Sequence, residues 1–126
     1  MIVTKRIYEP VDERDGYRVL IDRLWPRGVS KTAAHLDEWA KTIAPSNALR
    51  QWYGHDPAKW EEFRRRYAEE LDTPEAQAVL EALAKRAKRG RVTLLYSARE
   101  ATISNAEALV HVLEAHGART PASAHR

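Results

Sequence analysis

Residues 91–98 read Arg-Val-Thr-Leu-Leu-Tyr-Ser-Ala, "RVTLLYSA", and their reading decides the fold. The apolar residues follow one another without polar alternation, in a run too short for a helix. That is the pattern of a strand covered on both faces. Residues 17–24, "YRVLIDRL", repeat it around Val19-Leu20-Ile21, just after an Asp15-Gly16 turn signal. Residues 2–8, "IVTKRIY", mix apolar and basic residues in near alternation, which predicts a third, half-covered strand.

Helices are predicted between and after these strands, each with a local start signal. Ser30 is read as the cap of a helix carrying Leu36, Trp39, Ala40 and Ile43 on one face, which Pro45 ends. Ser46 opens a short helix with Leu49, Trp52 and Tyr53 inward. Asp56-Pro57 and Thr73-Pro74 are cap-then-proline starts. The first leads into Trp60, Phe63, Tyr67 and Leu71, the second into Ala76, Leu80, Leu83 and Ala87. Ser104 with Glu107 fits a capping box ahead of Ala106, Leu109, Val110 and Leu113.

The order is therefore β, β, four helices, β, α. A long helical crossover between strands makes parallel neighbours with a right-handed connection. The expected architecture is α/β, a single domain over residues 1–118 with a small, mainly parallel sheet flanked by about five helices. Residues 119–126, "RTPASAHR", have little to bury and are expected to be a flexible C-terminal tail.

Composition narrows the function classes. At 126 residues, 44% hydrophobic and 31% charged, the chain has the content of one ordinary globular domain. No apolar run approaches the roughly 20 residues needed to span a bilayer. The start lacks the apolar centre of a signal peptide, so a cytoplasmic location with no membrane partner is expected. There is no cysteine, which removes disulfides, thiolate metal sites and cysteine nucleophiles. The net charge is +3, and Arg outnumbers Lys 15 to 6, a balance that favours anionic partners.

In open α/β sheets ligands bind beyond the carboxyl ends of the strands. Here those ends carry Asp22, Arg23, Arg27 and Lys31 after one strand, and Tyr96, Ser97 and Arg99 up to Ser104 and Asn105 after the other. If the two strands are neighbours, these cations and the helix starts after Ser30 and Ser104 face one crevice, an arrangement suited to an anion. Arg50 and His55 flank the aromatic pair Trp52-Tyr53, with Gly54 leaving His55 in a loop. Should the site be catalytic, His55 and Asp22 are the acid–base candidates. Trp25 reads better as a lid on the core than as a stacking platform. His35, His55, His111, His116 and His125 show no metal-ligand spacing, and no Walker, GxGxxG, GxSxG or HExxH motif occurs. No metal and no cofactor is expected. Arg64-Arg65-Arg66 resembles a nucleic-acid patch, but helical geometry spreads the three about 100° apart among Glu61, Glu62, Glu69 and Glu70. The run from Lys85 to Arg91 is explained by its place at a helix end.

"GYRVLIDRLWPRGVSK", "LDEWAKTIAPS", "LRQWYGHDPAKWEEFRRRY" and "VTLLYSAR" together resemble the YeaO-like family, a group within a larger domain-of-unknown-function class. The resemblance covers about Arg6 to Leu113 and implies an α/β domain with no established activity. One departure matters. The family pattern after the last strand resembles His-Asn, a variable residue and Ala, where this chain has Ile103-Ser104-Asn105-Ala106. A histidine chemistry of relatives would be impaired by Ile103, whereas a helix cap is well served by Ser104. A broader branch carries cysteines near these positions, a chemistry this chain cannot share. The leading expectation is a crevice that binds a small anionic or phosphorylated ligand. The alternatives are a nucleic-acid-binding accessory protein and a non-catalytic protein-interaction module. The oligomeric state is left open.

Overall fold

The computed structural model describes residues 1–121. Strand β1 is Ile2–Arg6 and β2 is Tyr17–Leu20. Helix α1 is Lys31–Ala34, and β3 is Glu38–Trp39. Three helices follow: α2 at Asn47–Tyr53, α3 at Trp60–Glu70 and α4 at Pro74–Arg89. Strand β4, Val92–Tyr96, and helix α5, Asn105–Ala115, complete the domain. The architecture is α/β in a single domain, with a four-stranded sheet of order β1-β4-β2-β3 whose neighbours are all parallel.

Strand β4 lies inside the sheet, with all five of its residues buried. Val92, Leu94 and Tyr96 face the larger core with Phe63, Tyr67, Leu80, Leu83 and Leu109 from α3, α4 and α5. Leu95 faces a second, smaller cluster with Ile7, Leu20 and Ala34. Leu94 and Leu95 are both fully buried, a contribution of about 1.5–3 kcal/mol for each side chain.

One expectation fails. The helix capped by Ser30 does begin, with Ala33 N–H donating to the Ser30 hydroxyl at 3.0 Å, but it stops after one turn. His35 adopts the left-handed conformation, and the chain turns into β3, which pairs with β2 through Val19–Glu38 and Leu20–Trp39. Hydrogen bonds from a distant residue explain the stop. The buried Arg18 guanidinium donates to the Ala34 and His35 carbonyls, and the Arg18 backbone donates to the Asp37 carboxylate at 2.8 Å. Leu36, Trp39, Trp25 and Val29 therefore cover the second sheet face instead of forming a helical stripe.

Arg18 is itself held by Asp15 at 2.5 Å, and Lys5 donates to the same carboxylate at 3.0 Å. Beside them Gly16 sits at φ +65, where a Cβ would lie 2.3 Å from the Arg91 carbonyl oxygen. The predicted turn thus needs glycine for both conformation and space.

The outer edge of β1 is capped at both ends. Ile2 N–H donates to the Arg119 carbonyl at 2.7 Å, and Arg6 N–H donates to the Glu9 carboxylate at 2.7 Å. Within the segment expected to be a tail, Arg119 makes this bond and Thr120 is buried. Residues 122–126 of that segment lie outside the described residues.

Candidate functional site

Parallel pairing of β2 with β4 carries both strand exits to the same edge of the sheet. Asp22 is the first side chain beyond β2 to cross that edge. Its Oδ2 accepts the Ser97 backbone N–H at 2.9 Å and its Oδ1 accepts the Asn105 side-chain amide at 3.0 Å. Asn105, at the start of α5, also donates to the Ile21 carbonyl at 3.1 Å. The Asp22 carbonyl receives the Trp39 indole N–H at 2.7 Å. One carboxylate therefore fastens the ends of β2 and β4 and the start of α5. Burial pushes the Asp22 carboxyl above its ordinary value, against the opposing pull of Ser97, Asn105 and the more distant Arg50.

A cavity of about 530 Å³ opens at this edge. It is lined by Asp22, Arg23, Arg27, Arg50, His55, Ser97, Arg99 and Asn105, all singled out from the sequence. Three other candidates are elsewhere. Lys31 is exposed on α1 and Tyr96 is buried in the larger core, and neither lines the cavity. Ser104 is buried as the cap of α5, its hydroxyl accepting Glu107 N–H at 3.1 Å and donating to the Ala101 carbonyl at 2.9 Å.

The lining cations differ in what they have left to offer. Arg23 donates to the Pro45 and Ala44 carbonyls at 3.1 Å each, so it braces the approach to α2. Arg27, Arg50 and Arg99 are exposed, and among the described residues none makes a side-chain hydrogen bond or an ion pair. Asp22 is the lone carboxylate of the lining, and both its oxygens are engaged. The local field is therefore positive, with three guanidiniums available for an anion. His55 adopts the left-handed conformation at φ 57, directly after Gly54, and lies exposed with its ring 5.8 Å from the Tyr53 ring.

Arg6 and Tyr8 are among the lining residues that the sequence reading did not place at the site. Arg6, at the end of β1, donates to the Ala98 carbonyl at 2.9 Å and the Ser97 carbonyl at 3.0 Å. Tyr8 donates through its hydroxyl to the Arg27 carbonyl at 3.0 Å. Both line the crevice because β1 pairs with β4, a choice of neighbour that no local signal in "TKRIYEP" announces. Trp25 behaves as the expected lid: it packs edge-on against Trp39 at 5.2 Å and donates to the Val29 carbonyl at 2.6 Å.

The rest of the surface offers less chemistry. Arg64, Arg65 and Arg66 are paired with Glu61, Glu62 and Glu69, and Arg66 also covers the Trp52 ring at 4.0 Å. Among the described residues no group of three or more His, Asp or Glu is placed to hold a metal ion. No described helix is long and apolar enough to cross a membrane.

The profile of a family described as "Inactive DUF488-N3 subclade" matches residues 1–125. The uncharacterized protein YeaO of Escherichia coli (strain K12) is 45% identical over 105 residues, which cover 83% of this chain and 90% of that protein. The uncharacterized proteins Mb3100c of Mycobacterium bovis and Rv3073c of Mycobacterium tuberculosis are each 42% identical over 108 residues, covering 86% of this chain and 89% of theirs. No solved structure matches the chain.

Proposed function

Since the chain belongs to the YeaO-like DUF488 family, within a subclade described as inactive, we propose that its crevice binds a small anionic or phosphorylated ligand without transforming it. The observation that carries this reading is the set of three unpaired guanidiniums, Arg27, Arg50 and Arg99, around a cavity whose single carboxylate is already engaged. A cavity of about 530 Å³ is of the size that small-molecule sites have. Catalysis has less support. Asp22 spends both oxygens on holding the sheet edge together, and His55 has no hydrogen-bonded orienting partner among the described residues. A general base needs a lone pair aimed at the substrate and a fixed position. The reading assumes a cytoplasmic setting, where organic phosphates are plentiful.

Titration calorimetry with inorganic phosphate tests it. Binding in the millimolar range is expected, weakened roughly tenfold or more by Arg27→Ala with Arg99→Ala, since each tenfold is about 1.4 kcal/mol. No heat and no rise in melting temperature at millimolar phosphate would overturn the reading.

A second reading has one observation in its favour. Lys85, Arg86, Arg89 and Arg91 line a depression between the end of α4 and the start of β2, and among the described residues none forms an ion pair. Arg86 lies over the Tyr17 ring at 3.8 Å, while the others remain free for a phosphate backbone. Nucleic-acid binding through this face requires an affinity that falls steeply with salt. An affinity that does not change with salt removes it.

A further inference from the structure

The crevice has a second wall that an inorganic anion does not use. The large apolar side chains exposed among the described residues are Tyr8 at 46%, Val11 at 45% and Leu24 at 54%. Two of the three, Tyr8 and Leu24, line the crevice that also holds the unpaired guanidiniums. Scattered exposed apolar residues call for no explanation, but their concentration at one concave and charged site does.

Tyr8 is also fixed in place. Its hydroxyl donates to the Arg27 carbonyl at 3.0 Å, and the Arg6 guanidinium covers its ring at 4.9 Å from the centroid. Arg6 in turn is anchored to the Ala98 and Ser97 carbonyls. The ring is thus held before any ligand arrives, so little side-chain freedom is lost on binding. Arg27 joins the two halves of the site, since its carbonyl tethers the apolar wall while its guanidinium stays unpaired. A bare phosphate would satisfy the cations and leave Tyr8 and Leu24 wet.

Resting on the anion-binding reading, we infer that the ligand is a phosphate monoester carrying a flat apolar body. The phosphate lies on Arg27, Arg50 and Arg99, and the body lies against Tyr8 and Leu24. The charged end supplies the attraction from a distance, and the apolar end supplies the selection among anions.

Calorimetry with two probes, inorganic phosphate and phenyl phosphate, tests the inference on the full chain. Phenyl phosphate is expected to bind roughly tenfold tighter, the return for removing apolar surface from water. In Leu24→Ser that preference should shrink to about twofold or less, because the wall it buries against is gone. Leu24 is more than half exposed, so the variant should fold, and its melting temperature checks that. Equal affinity for the two probes in the unaltered protein overturns the inference and leaves the anion reading standing. Absence of inorganic phosphate binding overturns the anion reading itself, whatever phenyl phosphate does. A preference that survives in Leu24→Ser shows that the apolar body does not lie on this wall, and overturns the assignment.

Discussion

The Asp22 carboxylate accepts the backbone N–H of Ser97 at 2.9 Å, so the exit of β2 grips the exit of β4 across the open edge of the sheet. With Asn105 on its other oxygen, this one side chain ties together the exits of β2 and β4 and the start of α5. Asp22→Ala should leave the Ser97 N–H without its partner and the Asn105 amide with the Ile21 carbonyl alone, at a cost of about 1–3 kcal/mol. Urea unfolding reads that cost, and an unchanged midpoint would show that the grip contributes no stability.

The same carboxylate should make anion binding depend on pH. Burial holds its proton more tightly than in an ordinary aspartate. As pH falls through that raised value, Asp22 loses its charge and no longer repels an anion in the cavity. Sulfate, whose own charge is constant in this range, should therefore bind more tightly at mildly acidic pH than at neutrality. The comparison is best made in His55→Ala, which removes the neighbouring imidazole from the measurement. Affinity that is flat with pH would place the anion away from Asp22.

Asp15 should act on stability in the opposite sense. Burial works to raise its carboxyl, but hydrogen bonds from Lys5, the Asp12 backbone and Arg18 outweigh it, and the net shift is downward from 3.8. A carboxylate with a lowered value in the folded state adds stability that is complete above its unfolded value. That stability is lost as pH falls through the folded one. Thermal unfolding should thus show an acid limb below about pH 4 that Asp15→Asn flattens. At neutral pH the substitution leaves buried Arg18 without its charge partner and should cost about 3–5 kcal/mol. A loss under about 1 kcal/mol would mean that Lys5 and Arg18 are solvated well enough without it.

Gly16 lies at the other edge, where its backbone approaches Arg91. A Cβ there would sit 2.3 Å from the Arg91 carbonyl oxygen, in a left-handed conformation that already strains an L-residue. Gly16→Ala should lower stability by more than about 1 kcal/mol and weaken the adjoining bond from Tyr17 N–H to the Arg91 carbonyl. Hydrogen exchange at Tyr17 measures the second effect. A substitution neutral in both would show that the turn can shift away from β4.

Helix starts were legible because a cap is a local event. Ser46, Asp56, Thr73 and Ser104 each accept a backbone N–H within three residues, as their neighbours in the chain predict. The fate of the Ser30 helix was not legible. Arg18, sixteen residues before Ala34, takes the carbonyls that a longer helix would have used, and β2 supplies a neighbour for β3. The crevice was read in part for the same reason. Asp22, Arg27 and Arg99 follow from the rule that strand exits face the ligand edge. Arg6 and Tyr8 belong there only because β1 pairs with β4, and pairing is decided by the assembled core.

The capped outer edge of β1 bears on how these molecules behave when crowded. A strand recruits another chain by presenting a ladder of free N–H and C=O groups. Here the donors of Ile2 and Arg6 are already satisfied, one by Arg119 and one by Glu9, so the ladder is interrupted at both ends. Growth of the sheet from one molecule into the next is disfavoured along this side, which leaves the short β3 at the opposite margin as the other strand where a sheet could extend.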